Sequence, residues 1–75
     1  MRPWTHAEYQ LLFEHWPPTD PSAPPRNEVD HLVQSLNRTS GAVLAQWNDA
    51  RSSVLGNKSA ASRQLVSYLR SRGWI

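Results

Sequence analysis

Residues 37–49 read NRTSGAVLAQWND, and how this stretch folds decides the rest of the chain. Asn37 tolerates the left-handed backbone conformation that ends a helix, and Thr39 or Ser40 can cap the free amides that begin the next one. Only Arg38 and Thr39 separate an ending from a beginning, so two helices meet here through a tight turn. Downstream, Val43, Trp47, Ala50 and Val54 fall on one stripe, and Gly56 closes a helix over 40–55.

Upstream, Val29, Leu32, Val33 and Leu36 follow the i, i+3, i+4, i+7 spacing of an amphipathic helix over 27–36, with Asn27 placed to cap it. Before it, PPTDPSAPPR (17–26) holds five of the six prolines and predicts an extended, semi-rigid loop, long for so short a chain. At the start, Thr5 and Glu8 have the spacing of a capping box, with Trp4 and Tyr9 at the positions of a hydrophobic staple. Tyr9, Leu12, Phe13 and Trp16 continue the stripe of a helix over 6–16, which Pro17 and Pro18 end. Beyond Gly56, Ser59 is placed to cap a fourth helix over 59–72, with Leu65, Val66 and Leu69 inward and Gly73 past its end. No segment alternates as a strand does, and no repeat appears. The expected fold is all-α, a three-helix helix-turn-helix core with a fourth C-terminal helix, in one domain over 1–75.

A chain of 75 residues buries only about 60% of its unfolded surface, so each large apolar side chain matters. Cysteine is absent, which excludes disulfides, thiolate zinc sites and cysteine nucleophiles, and leaves aromatic packing to do the stapling. Of the four tryptophans, Trp4, Trp16 and Trp47 lie on apolar stripes and are expected in the core. Trp74 and Ile75 either fold back over that core or offer an apolar patch to a second copy, as a homodimer, or to a protein partner. No apolar run approaches the roughly 20 residues of a membrane span, and Met1-Arg2 leads into Pro3 and Trp4 rather than into the apolar stretch of a signal peptide. No membrane partner and an intracellular location are expected.

His6, His15 and His31 are spaced by 9 and 16 residues, which matches no metal-ligand pattern. No nucleophile elbow and no glycine-rich phosphate loop occurs, so no catalytic residue, metal or cofactor is expected. Charge is more telling. Residues 1–37 carry two arginines against five acidic side chains, a net of −3, while residues 38–75 carry six basic side chains against Asp49 alone, a net of +5. Such segregation points to an anionic partner for the second half.

The residues also carry a family likeness. Trp4-Thr5 with Glu8, the turn Asn37-Arg38-Thr39, Ala42-Val43 and Trp47-Asn48 together resemble the Myb/SANT repeat over residues 4–55. The chain departs from that pattern in its longer proline loop and in lacking the repeat's middle tryptophan on the second helix. It is similar also, more distantly, to small helical modules attached to some bacterial HNH-type nucleases, through Arg38-Thr39 and Gly41-Ala42-Val43, although no nuclease motif is present. The Myb likeness implies a homeodomain-like DNA-binding domain with helix 40–55 in the major groove of double-stranded DNA, serving as a transcriptional regulator or an accessory factor in DNA transactions. It places the base-reading positions at Leu44, Ala45, Asn48 and Asp49. By their chemistry, Asn48 suits adenine, Asp49 suits cytosine N4, and Leu44 or Ala45 suits a thymine methyl. Phosphate contacts are expected from Arg38, Thr39 and Ser40 at the start of that helix, from Arg51 and Lys58 towards its end, and from Arg63 and Arg70 on the fourth helix. The alternative is a SANT-like adaptor that binds proteins, which Asp49 and the otherwise neutral outer face of helix 40–55 favour.

Overall fold

The computed structural model describes residues 3–57 and 61–75. Four helices follow one another, α1 (His6–His15), α2 (Arg26–Leu36), α3 (Ser40–Val54) and α4 (Arg63–Ser71), and no strand occurs among the described residues. The capping box opens α1: the Glu8 amide donates to Thr5 Oγ1 at 3.2 Å, and the Thr5 amide donates back to the Glu8 carboxylate at 3.3 Å. Trp4 stacks on Tyr9 with ring centres 5.4 Å apart, which fixes the angle at which the chain enters the helix.

Two helix starts differ from the sequence expectation. α2 begins at Arg26, with Pro25 rather than Asn27 at the cap, and the Pro25 carbonyl accepts from the Glu28 and Val29 amides at 3.0 Å each. A proline has a carbonyl to offer and no amide to satisfy, so it opens a helix without a side-chain cap. Asn27 therefore lies within the first turn. α4 begins at Arg63, where Ser62 Oγ accepts from the Leu65 amide at 3.2 Å, while Ser59 and Lys58 lie outside the described residues.

The turn between α2 and α3 forms as its residues dictate. Asn37 takes the left-handed conformation (φ 54°, ψ 48°), and Thr39 Oγ1 caps α3 by accepting from the Ala42 amide at 3.2 Å. Gly56, with φ of 80°, ends α3 by letting the Asn57 amide reach back to the Ser52 carbonyl.

α1 and α3 each touch all three other helices, whereas α2 and α4 do not touch each other. Their shared core is Tyr9, Leu12 and Phe13, Leu32 and Leu36, Val43, Trp47 and Ala50, and Leu65, Tyr68 and Leu69. Tyr68 takes an inward place, its ring 5.7 Å from both Tyr9 and Phe13, while Val66 is only half-buried. Trp47 is 3% exposed, but Trp4 and Trp16 are half-buried and pack on the edge of the core. Trp74 folds back, meeting Phe13 edge-on at 6.0 Å and Tyr68 at 6.2 Å, and leaves Ile75 exposed.

The proline loop is tied down rather than loose. Trp16 Nε1 donates to the Ser22 carbonyl at 2.8 Å, Trp47 Nε1 donates to the Trp16 carbonyl at 3.1 Å, and Arg51 donates to the carbonyls of Pro18 and Asp20. Pro18 and Pro24 are buried. No helix among the described residues is long and apolar enough to cross a membrane.

Candidate functional site

The face that α3 turns away from the core is narrow and chemically simple. Ala45 and Asn48 are exposed on it, one helical turn apart, with Gly41 exposed nearer its start. The other two candidate base-reading residues sit differently. Leu44 is half-buried on the wall of a cleft that it shares with Pro24, Val29 and Ser40. Asp49 is half-buried. Ala42, Ala45 and Gln46 join Trp4 and Arg38 in lining a second cleft, beside the start of α3.

Arg38 and Arg51 both work within the fold. Arg38 grips Glu8 with two bonds, Nε to Oε2 at 2.6 Å and Nη2 to Oε1 at 2.9 Å, and donates also to the Pro3 carbonyl at 2.8 Å. Its guanidinium lies 4.6 Å from the centre of the Trp4 ring, and the side chains of Arg38 and Glu8 are 8% and 13% exposed. The hydrogen bonds to Glu8 push the Arg38 guanidinium above its already high pKa, so its charge is permanent. Arg51 spends donors on the loop carbonyls.

Thr39 and Ser40 are exposed at the start of α3, and Arg63 and Arg70 are exposed along α4, where they flank a shallow groove with Val66 and Ser67. The sequence-based set omitted two further exposed arginines, Arg26 at the start of α2 and Arg72 after α4, whose guanidinium lies 5.2 Å from the Trp74 ring centre. Each lacked a motif, and only the charge balance would have flagged them. Among the described residues the exposed acids are Glu14 and Asp30, because Glu8, Asp20, Glu28 and Asp49 are half-buried. The exposed charges among the described residues are thus four arginines, Arg26, Arg63, Arg70 and Arg72, against those two acids.

Elsewhere the fold assembles groups that their spacing had kept apart. His15 Nε2 meets Glu28 Oε2, and the His15 ring stacks on His31 at 5.0 Å. No three histidines or carboxylates among the described residues are arranged to hold a metal ion. The Tyr9 hydroxyl contacts Ser62 Oγ at 3.5 Å, and burial pushes its pKa up. The Tyr68 hydroxyl and Gln46 Oε1 are buried with no hydrogen-bond partner among the described residues. Compared with protein-family models, curated proteins and solved structures, the chain matches none.

Proposed function

We propose that the chain binds double-stranded DNA, laying α3 of a Myb/SANT-like helix-turn-helix in the major groove, as a transcriptional regulator or an accessory factor in DNA transactions. The observation that carries this reading is the exposed strip of Ala45 and Asn48 on α3, a capped helix set off from α2 by a three-residue turn. Such a helix, with short side chains outward, can approach base edges closely. Arg63 and Arg70 supply phosphate contacts from α4, with Thr39 and Ser40 at the start of α3, and Arg26 and Arg72 add to the positive field.

A gel-shift titration with random duplex over a range of salt tests the proposal. Retention at low salt should fall steeply as salt rises. Arg63→Ala or Arg70→Ala should weaken all duplexes alike, flattening the salt slope by about one unit for each phosphate left without its arginine. A second reading, a SANT-like adaptor for proteins, is favoured by one observation: Arg38 and Arg51 are engaged inside, and no basic side chain is exposed on α3. Absence of retention at any salt would reject DNA and leave the adaptor.

A further inference from the structure

We infer that the base pairs read by α3 are A·T pairs, with Asn48 on adenine and Ala45 on the thymine methyl of a pair in the same stretch of groove. The inference rests on the DNA-binding reading and concerns the chemistry of the same helix. Guanine is distinguished in the major groove by two acceptors, O6 and N7, which an arginine or lysine meets with paired donors. The exposed positions of α3 from Gly41 to Asn48 offer no such side chain. Arg38 and Arg51, the basic residues that border or belong to α3, are held by Glu8 and by the loop carbonyls. Cytosine is distinguished by the N4 donor, which calls for an acceptor, and the one carboxylate on α3, Asp49, is half-buried where Ala45 and Asn48 are exposed.

What remains outward suits the other pair. The Asn48 amide offers one donor and one acceptor side by side, the complement of adenine N7 and N6. The Ala45 methyl suits the thymine C5-methyl, and its neighbours in the cleft, Ala42 and Trp4, extend that apolar surface. Ala45 and Asn48 lie three residues, about 4.5 Å of helix, apart on one face, close enough for both to meet bases in one stretch of groove.

The test compares the 75-residue chain on four duplexes of equal length at low salt: mixed-order A·T, mixed-order G·C, the A·T duplex with deoxyuridine for thymidine, and the A·T duplex with 7-deazaadenine for adenine. The A·T duplex should bind roughly tenfold tighter than G·C, and each replacement, which deletes one methyl or one ring acceptor, should remove much of that advantage. Asn48→Ala, a change at an exposed position that a melt should show to be harmless to folding, should abolish sensitivity to 7-deazaadenine and keep sensitivity to deoxyuridine. Equal binding to A·T and G·C, or a preference for G·C, would overturn the inference while leaving DNA binding in place. An A·T preference that survives both replacements would overturn it too, since groove shape would then be what is read. Failure to retain any duplex would overturn the DNA reading itself.

Discussion

Tyr68 buries a hydroxyl that has no hydrogen-bond partner among the described residues. A buried hydroxyl without a partner loses its hydration for no return, so Tyr68→Phe should stabilise the fold by about 1 kcal/mol at neutral pH, measured by denaturant unfolding. Burial also raises the pKa of Tyr68 and of Tyr9 above the ordinary 10.0. A tyrosine of this kind keeps its proton in the folded state at a pH where the unfolded chain gives it up. The associated stability is complete below pH 10.0 and is lost as pH rises through the folded value. An alkaline decline in stability is therefore expected, smaller in Tyr68→Phe, where Tyr9 alone contributes. A decline of unchanged size in that variant would show that Tyr68 ionises as it would in water.

Among the elements, α1 and the turn before α3 are joined by the Arg38–Glu8 pair. Glu8 serves the capping box and the ion pair with the same carboxylate. Arg38→Ala takes the positive partner from a half-buried carboxylate that the Thr5 amide still bonds, which should cost about 1–3 kcal/mol, whereas Arg38→Met with Glu8→Gln should recover part of the loss. Thermal melts of the single and double variants check this; equal stability of wild type and Arg38→Ala would deny the brace. A failure of Arg38→Ala to retain DNA would accordingly report unfolding before it reported a phosphate contact. The pair also marks the limit of what could be read along the chain. The Thr5–Glu8 box, the left-handed Asn37 and the Trp47 stripe depend on neighbours within a turn or two, and all were legible. The partners of Arg38 and Arg51 come from residues brought near by folding, and no periodicity announces them. Of the candidate site, the outward direction of Ala45 and Asn48 followed from about 100° of rotation per residue. The half-burial of Asp49 did not follow, because projecting one helix takes no account of what packs against it. Tyr68 was missed for the same reason: the aromatic rings of α1 determine which face of α4 turns inward.

At the scale of the molecule, the Cα radius of gyration of 11.3 Å matches the roughly 11 Å expected of a compact chain this long. The C-terminal end contributes to that compactness, since Trp74 rests against Phe13 and Tyr68. Deleting Trp74 and Ile75 should destabilise the fold by about 1–2 kcal/mol. Each kcal/mol of destabilisation should lower the melting temperature by about 4–8 °C for a chain of this size. An unchanged melt accompanied by reduced self-association in sedimentation would instead assign the pair to an interface.

Glu8 and Arg38 stand 30 positions apart, so their contact closes α1, the proline loop and α2 into a ring. Bringing the ends of a chain together removes freedom that the open chain enjoyed, and this entropic loss grows only slowly with the number of residues enclosed. The five prolines between Pro17 and Pro25 have surrendered part of that freedom already, because each fixes a backbone angle whether the chain is folded or not. The ring is therefore closed by a stiff segment with little disorder left to lose, which is how so short a chain carries a long connection without a larger core.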